Sequence, residues 1–290
     1  MQTIDRLDPL RDAVRALRER EHGRVALVPT MGALHEGHLT LVREAKARAE
    51  SVVVSIFVNP RQFGAGEDLA AYPRRLERDC AMLVAEGVAL VWAPAVEVMY
   101  PAGYATNIAV SGLGDGLCGT ARPGHFDGVA TVVCKLFQQV RPDVALFGEK
   151  DWQQLAVIRR MARDLDLTRP FARDIIGVPT VREADGLAMS SRNAYLSADE
   201  RARAAALPSA MREAVGAIER GEPAAPALAG LAATLSESGF CSVDYAELRD
   251  AETLAPIERA GSTEARLLVA ARIGKARLID NMPVRSTTAG

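Results

Sequence analysis

The sequence predicts an α/β protein, in which a parallel sheet covered by helices on both faces is followed by a smaller α+β domain. From residue 24 to about residue 165, short apolar segments alternate with longer amphipathic ones, as strands and helices do in parallel sheets. After residue 180 the pattern changes to an alanine-rich helical region and then three adjacent strand patterns. The length of 290 residues suits one large domain or two ordinary ones at roughly 150 residues each, and the change in pattern places the domains at residues 1–180 and 181–290.

The N-terminal elements form one βαβ unit preceded by a helix. Residues 4–20 carry apolar side chains every three or four positions, which predicts an amphipathic helix. Residues 24–30 (RVALVPT) and 51–58 (SVVVSIFV) are continuous apolar runs, which are typical of buried strands. Between them, the glycine-containing residues 32–38 predict a turn and residues 39–49 a helix.

The same alternation continues through the rest of the first domain. The pattern predicts, in order, a charged helix over 74–86, a strand over 88–94, a glycine-rich functional loop over 111–128, a helix over 129–140, a strand over 143–148 and a helix over 151–165.

The second domain has a different pattern. Residues 181–197 are polar with little periodicity, and residues 199–237 are alanine-rich and helical in pattern, interrupted by GEPAAP. The final segments predict three strands, over 242–250, 266–273 and 276–281. Helices followed by adjacent strands indicate a small α+β domain.

Composition and charge argue against several classes of protein. A net charge of −2 and a pI near 6.2 argue against nonspecific nucleic-acid binding, which needs a basic face. The longest clean apolar run, near Val52–Val58, is far shorter than the roughly 20 residues of a membrane helix. The charged N-terminus does not resemble a secretory signal, and the cysteines form no C-x-x-C pair, so we expect a reduced cytoplasmic protein.

Polar side chains cluster where predicted strands end. Half of the four histidines lie at His35 and His38, just after the first buried strand and beside Gly32 and Gly37. Ligands bind at the carboxyl ends of strands in open α/β sheets, and helix N-termini attract phosphate. We therefore interpret this segment as a phosphate site rather than as a loop with two surface histidines. A zinc site is not favoured, since no third ligand is spaced suitably nearby.

A second cluster follows the strand over 143–148. Lys150 stands where an ammonium group meets phosphate charge, and Gln154 lies three residues after Asp151 on the same predicted helix. The alternative is structural, with Asp151 as a helix N-cap and Lys150 as a solvated loop residue.

Three further segments carry polar groups of weaker specificity. Residues 189–193 (MSSRN) place two hydroxyls beside a guanidinium, which suits a phosphate clamp or a polar interdomain loop. Gln62 in NPRQF offers a donor and an acceptor to a substrate, although the segment also suits a strand-terminating turn. Arg122 and His125 are candidates to meet an anion, whereas His22 is taken as a surface residue.

Together these segments resemble the pantothenate synthetase (pantoate–β-alanine ligase) family. PTMGALHEGH resembles the HIGH box of class I nucleotidylyltransferases and aminoacyl-tRNA synthetases, and AMSSR resembles their KMSKS-like loop. The resemblance runs from about residue 24 to the end of the chain, and its other blocks occur in the family's order: NPRQF, CGTARPGHF, FGEKDWQQL and VPTVREADGLAMSSRN.

The resemblance implies a Rossmann-like domain of the HIGH type and a smaller C-terminal lid domain. It implies an enzyme that joins pantoate to β-alanine with ATP, giving pantothenate, AMP and pyrophosphate through a pantoyl adenylate. It further implies Mg²⁺ bridging the ATP phosphates, with ligands that the sequence does not name, and a cytoplasmic homodimer that needs neither nucleic acid nor membrane.

The resemblance also implies site residues by position. The catalytic residues are His38 as proton donor, His35 and Lys150, while Gln62 and Gln154 bind pantoate and Gln62 also meets β-alanine. The implied ATP-binding residues are Pro29, Thr30, Met31, Gly32, Ala33, Leu34, His35, Glu36, Gly37 and His38 after the first buried strand, then Gly148, Glu149, Lys150 and Asp151, and finally Val181, Met189, Ser190, Ser191 and Arg192.

Three rival interpretations are weighed against this one. A nucleotidylyltransferase acting on a phosphorylated alcohol needs more basic residues than Gln62 and Gln154 provide. An inert nucleotide sensor is disfavoured because both histidines of the HIGH-like box and Lys150 are present. A tRNA-binding synthetase fragment is disfavoured by the slightly acidic net charge.

Overall fold

The structure is a computed structural model that describes residues 1–21, 23–64, 67 and 69–285 of the chain. The chain divides into two compact units. The N-terminal unit comprises Met1–Glu149 and Gln153–Pro179, and the C-terminal unit comprises Lys150–Trp152 and the chain from Thr180 onward. His22, taken above as a surface residue, lies outside the described residues.

A parallel sheet forms the centre of the N-terminal unit. Among the described residues, six strands pair in the order β1-β4-β3-β2-β5-β6, with every neighbouring pair parallel. The strands are β1 (Gln2–Ile4), β2 (Val25–Thr30), β3 (Ser51–Ile56), β4 (Leu90–Trp92), β5 (Val144–Gly148) and β6 (Ile175–Val178).

Burial of consecutive residues shows that both faces of this sheet are covered. Val25, Ala26, Leu27 and Val28 of β2 are all fully buried although successive side chains point to opposite faces. The predicted parallel α/β architecture is therefore confirmed. The helices are α1 (Leu7–Glu21), α2 (Glu36–Lys46), α3 (Leu76–Ala85), α4 (Val96–Met99), α5 (Cys118–Ala121), α6 (His125–Val140) and α7 (Trp152–Asp164).

Two short edge strands differ from the sequence-based prediction. Residues 4–20 were expected to form one helix, but Ile4 belongs to β1 and pairs with Trp92 of β4. Strand β6 was not predicted, and it pairs with β5 through four residues. Segments this short carry too little periodicity to be recognised, so pairing with a neighbouring strand decides their conformation.

Two helices begin earlier than their apolar periodicity indicates. Helix α2 begins at Glu36 because His35 acts as its N-cap, so Glu36, Gly37 and His38 are helical and not part of a turn. Helix α6 begins at His125, after Gly124 in the left-handed conformation. Both differences place histidines in the first turn or cap of a helix.

The C-terminal unit has the predicted α+β composition, and the structure shows that its three strands pair antiparallel. Within its described part, the helices are α8 (Ala198–Ala204), α9 (Ala206–Glu219) and α10 (Ala224–Glu237), and the strands are β7 (Ser242–Asp250), β8 (Ala265–Ile273) and β9 (Ala276–Val284), in the order β7-β8-β9. Alternate residues of β8, including Leu267 and Val269, pack in one apolar core with Met211 of α9 and Leu235 of α10.

None of the helices formed by the described residues is long and apolar enough to span a membrane.

Candidate active site

The loop between β2 and α2 turns sharply at the carboxyl end of the sheet. Gly32 and Ala33 both have positive φ, at 83° and 52°, a conformation that costs Ala33 strain but not Gly32. The loop is tied to the neighbouring strand, since Thr30 Oγ1 donates to the Ser55 carbonyl at 2.8 Å and accepts from Gly32 N at 3.2 Å. Hydrogen bonds within the chain therefore hold the shape of this loop.

The buried carboxylate of Asp79, in α3, accepts hydrogen bonds from this loop. Asp79 is 1% exposed and accepts from Ala33 N at 2.8 Å and from Leu34 N at 2.9 Å. Successive backbone N–H groups that converge on one anion form a nest, and here the anion is part of the chain. Asp79 was missed from sequence, because an acidic residue in the first turn of a helix is ordinarily a solvated one.

His35 and His38 cap the helix that follows the loop. His35 Nδ1 accepts from Gly37 N at 3.2 Å, and His38 Nδ1 accepts from His35 N at 3.3 Å. An imidazole nitrogen that accepts a hydrogen bond carries no proton, so each neutral ring holds its proton on Nε2. The ring centroids are 4.1 Å apart. The two rings thus lie next to each other at the N-terminus of α2, and each carries its proton on Nε2 when neutral.

Gln62 approaches the same loop from the end of β3. It lies in the 3₁₀ turn Pro60–Gln62, is 9% exposed, and its Nε2 lies 3.3 Å from Met31 Sδ. Its Oε1 accepts from Asn59 Nδ2 at 3.0 Å, and the same Nδ2 reaches the Gly128 carbonyl at 3.0 Å. Folding therefore brings two sequence-predicted site residues, Gln62 and Met31, into contact.

A close backbone approach supports the Gln62 turn. A Cβ atom at Gly128 of α6 would lie 2.2 Å from the Arg61 carbonyl oxygen, so only glycine allows α6 to pack here. We conclude that the glycine is needed for the position of the turn and not for a flexible conformation.

Arg122 and His125 support Gln62 from the other side. Arg122 pairs with Glu67 through two hydrogen bonds of 2.7 and 2.6 Å and donates to the Gln62 carbonyl at 3.1 Å. His125 Nδ1 lies 2.8 Å from the same carbonyl, and its Nε2 lies 3.1 Å from Arg122 Nη1. Because arginine only donates, Nε2 accepts and Nδ1–H donates to Gln62. Arg122 and His125 were expected to meet an anion. In the structure, Arg122 binds the carboxylate of Glu67.

This ion pair predicts a pH-dependent stability. The Arg122 guanidinium holds the pKa of Glu67 below its ordinary value of 4.5. A lowered pKa in the folded state stabilises the protein above the ordinary pKa, and that stabilisation is lost as the pH falls through the lowered value. We expect Glu67→Gln to lower the free energy of unfolding at pH 7, with a deficit that shrinks below pH 4.5, as measured by urea denaturation.

The control for this prediction is Glu97→Gln, which changes an exposed carboxylate in α4. It should leave the free energy of unfolding near that of the wild type at pH 7. If Glu67→Gln lowered the free energy of unfolding equally at pH 7 and below pH 4.5, the electrostatic explanation would be contradicted.

Arg61, the neighbour of Gln62, is exposed and lies against aromatic rings. Its guanidinium is 5.5 Å from the ring centroids of both Tyr100 and Tyr104, and it donates to Asn107 Oδ1 at 3.0 Å. Burial raises the pKa of Tyr100 well above its usual range, so its hydroxyl stays protonated and donates to Asn59 Oδ1 at 2.8 Å. The side-chain contacts of Arg61 are therefore with Tyr100, Tyr104 and Asn107.

We expect Arg61→Thr to leave turnover nearly unchanged, because the exposed guanidinium stacks on tyrosines and makes a surface hydrogen bond. Steady-state kinetics of the variant beside the wild type measure this. A loss of about tenfold or more in kcat would show that Arg61 takes part in substrate access or binding.

The segment after β5 divides between the two units. Gly148 ends β5, Glu149–Asp151 form a 3₁₀ turn, and Lys150 Nζ lies 3.7 Å from Asp151 Oδ2. Gln154 lies half-buried in the first turn of α7. Its neighbour Gln153, which the sequence pattern did not single out, is 5% exposed.

Gln153 orders the glycine-rich loop. Its Nε2 donates to the carbonyls of Leu113 and Gly116 at 2.9 and 2.8 Å, and its Oε1 accepts from Cys118 N at 3.1 Å. All three hydrogen-bonding groups of this amide face the loop, so Gln153 has a structural role.

The remaining sequence-predicted residues lie in the C-terminal unit. Val181 and Met189 are joined by a backbone hydrogen bond of 3.0 Å, which closes a hairpin. Ser190 Oγ accepts from Arg192 N at 3.2 Å and caps the 3₁₀ turn Ser191–Tyr195. Among the described residues, no group of three or more His, Cys, Asp or Glu side chains is arranged to hold a metal ion.

Comparison with known proteins identifies relatives of the whole chain. A family model described as Pantoate-beta-alanine ligase matches residues 2–283. A curated pantothenate synthetase from Novosphingobium aromaticivorans is 69% identical over 284 residues, covering 98% of this chain and 99% of the relative. One from Sphingopyxis alaskensis is 60% identical over 286 residues, covering 98% and 100%.

Solved structures agree with these relatives. The pantothenate synthetase of Thermus thermophilus matches with a TM-score of 0.90 at 48% identity, over 98% of this chain and 99% of that chain. The pantoate-beta-alanine ligase of Francisella tularensis, solved in complex with beta-gamma ATP and beta-alanine, matches with a TM-score of 0.80 at 31% identity, over 100% and 99%.

Proposed function

The chain belongs to the pantoate–β-alanine ligase family, and on that premise we propose how its own residues carry out the reaction. The enzyme condenses pantoate with β-alanine at the expense of ATP and gives pantothenate, AMP and pyrophosphate through a pantoyl adenylate. The observation that best supports the site is the contact between Gln62 and Met31, beside the His35–His38 cap.

In the first step, the pantoate carboxylate attacks the α-phosphorus of ATP and pyrophosphate leaves with the bonding electron pair. Negative charge then grows on phosphate oxygens, which preorganised donors stabilise. We assign this role to the Nε2–H groups of His35 and His38 and to the Lys150 ammonium, with His38 as proton donor. The remaining ATP contacts are assigned to Pro29–Gly37, to Gly148, Glu149 and Asp151, and to Val181 and Met189–Arg192.

In the second step, the β-alanine amine attacks the activated carbonyl, and the bond to the AMP oxygen breaks. We assign pantoate binding to Gln62 and Gln154, and a contact with β-alanine to Gln62. An amide both donates and accepts, so Gln62 suits a hydroxyl and a carboxylate on one substrate. The hydrogen bond from Asn59 Nδ2 holds the Gln62 side chain in one position. A side chain held in this way orients the groups that attack.

We propose that Mg²⁺ accompanies ATP and lowers the charge repulsion between its phosphates. Mg²⁺ typically takes one or two protein carboxylates together with substrate phosphates and water, so a dedicated cluster of ligands is not required. Asp151, beside Lys150 at the end of β5, has the carboxylate chemistry for such a site.

The assembly and location of the enzyme are also proposals. We propose that it is a homodimer in the cytoplasm, that residues 1–180 form the ATP- and pantoate-binding domain and residues 181–290 a lid domain that contributes the later ATP contacts, and that neither nucleic acid nor membrane takes part. Light scattering coupled to size-exclusion chromatography tests the first of these, with a monomer mass as the contradicting result.

Pyrophosphate release from ATP and Mg²⁺ with pantoate, with and without β-alanine, tests the proposed function. A pantoate-dependent burst near one equivalent per site, with turnover only when β-alanine is present, supports both steps. ATP binding without pantoate-dependent release would instead favour a different nucleotidylyltransferase or a nucleotide sensor.

A further inference from the structure

A buried asparagine of β9 holds the backbone of Lys150. Asn281 is 3% exposed, and its Nδ2 donates to the Lys150 carbonyl at 2.8 Å across 131 residues of sequence. Its Oδ1 accepts from Arg266, which is 9% exposed. Both hydrogen-bonding ends of the amide are therefore used, and the Lys150 backbone is fixed to the C-terminal sheet.

The other side of this contact is held by Trp152. The Arg266 guanidinium lies 3.4 Å from the centroid of the Trp152 ring, and Trp152 Nε1 donates to the Ala251 carbonyl at 2.8 Å. A guanidinium stacked on an indole in a desolvated place is a strong cation–π contact. Arg266 thus links Asn281 to Trp152, and Lys150 is held both at its own carbonyl and two residues later.

The residue before Asn281 holds a second segment. Asp280 is 2% exposed and accepts two hydrogen bonds from Arg182, of 2.6 and 2.9 Å. Arg182 also donates to the Gly186 carbonyl at 3.0 Å. This bidentate pair fixes the hairpin that runs from Val181 to Met189 and leads into Ser190–Arg192.

We propose that the adjacent pair Asp280–Asn281 positions both nucleotide-binding segments of the C-terminal unit, and that Asn281 is a positioning residue for adenylation. Asp280 fixes the hairpin before Ser190–Arg192 through Arg182, and Asn281 fixes the backbone of Lys150. One strand thereby holds both the backbone of Lys150 and the hairpin that precedes Arg192, and both of these residues are assigned to ATP above. The inference rests on the ATP-binding role proposed above for Lys150.

Asn281→Asp tests the proposal with a side chain of the same shape. The new carboxylate still accepts from Arg266, but it replaces the donor to the Lys150 carbonyl with a repelling oxygen. A displacement of about 1 Å at a catalytic group costs up to about 10²-fold in rate. We expect kcat/KM for ATP in pantoate-dependent pyrophosphate release to fall about tenfold or more, with KM for β-alanine changing less than about twofold.

Two variants separate positioning from folding. Arg272→Ala removes an exposed ion pair with Asp244 at the other end of β8 and should leave both kinetic constants and the melting temperature near wild type. Arg266→Lys keeps the charge but loses the planar stack on Trp152, so it should lower kcat/KM for ATP in the same direction as Asn281→Asp. It serves as the test if Asn281→Asp yields too little folded protein.

Lys150→Ala distinguishes failure of the inference from failure of the proposed function. A large loss in Lys150→Ala, with no further loss in the double variant Lys150→Ala/Asn281→Asp, supports the proposal, because the asparagine then acts through the lysine. A large loss in Lys150→Ala with wild-type kinetics in Asn281→Asp overturns the inference alone. Unchanged kinetics in Lys150→Ala overturn the proposed role of Lys150 and the inference with it.

Discussion

Replacing His38 by alanine is expected to lower pantoate-dependent pyrophosphate release by at least about 10²-fold, the usual scale for loss of one donor to a developing oxyanion. His38 Nδ1 accepts from His35 N, so the neutral ring carries its proton on Nε2, the group that we propose donates to the phosphate. Alanine removes that donor at the step in which charge develops. Single-turnover measurement with ATP, Mg²⁺ and pantoate isolates this step from the later attack by β-alanine.

The structure also gives His38 a capping role, which needs its own control. Loss of a helix cap costs about 1 kcal/mol of stability, and this effect must be separated from catalysis. In His38→Asn, the side-chain oxygen can replace Nδ1 as the acceptor for His35 N, but no group replaces Nε2–H. We expect His38→Asn to fold as stably as the wild type and to remain as slow as His38→Ala.

Two results would contradict this assignment. Near-wild-type adenylation in His38→Ala would remove His38 from the mechanism. Recovery of activity in His38→Asn would show that His38 acts by capping α2 and not by donating to the phosphate.

Replacing Asp79 by alanine is expected to lower both stability and turnover. The change leaves the buried N–H groups of Ala33 and Leu34 without their acceptor, and each unsatisfied buried donor costs about 1–3 kcal/mol. We therefore expect the free energy of unfolding to fall by about 2–6 kcal/mol. Because the same amides set the loop before His35, kcat should fall by about 10²-fold through misplacement of the histidines.

Urea denaturation and steady-state kinetics well below the melting temperature measure these two effects. Glu77→Ala is the matched control, since it removes an exposed carboxylate from the same first turn of α3 and should change neither quantity. Asp79→Asn keeps an acceptor for one amide and should give an intermediate result. If Asp79→Ala behaved as Glu77→Ala does, Asp79 would have no role in holding the loop.

The parallel α/β fold and the C-terminal sheet were predictable because they depend on local patterns. The continuous apolar run of β2 requires burial on both faces, and the three C-terminal strand patterns match β7, β8 and β9 closely. The short strands β1 and β6 were not predictable, because three or four residues take their conformation from the strand they pair with. Likewise the start of α2 depends on a histidine cap, which is uncommon among N-cap residues.

The sequence by itself determined the family and the identity of the candidate groups, because His35, His38, Gln62 and Lys150 occur in motifs with fixed spacing. Only the tertiary structure decided how these groups are held. Gln62 contacts Met31 across 31 residues of sequence, Asp79 accepts from Ala33 N across 46, and Asn281 donates to the Lys150 carbonyl across 131. Such contacts leave no periodic signal in a single sequence, since a buried polar residue is specified by its distant hydrogen-bond partner and not by its neighbours in the chain.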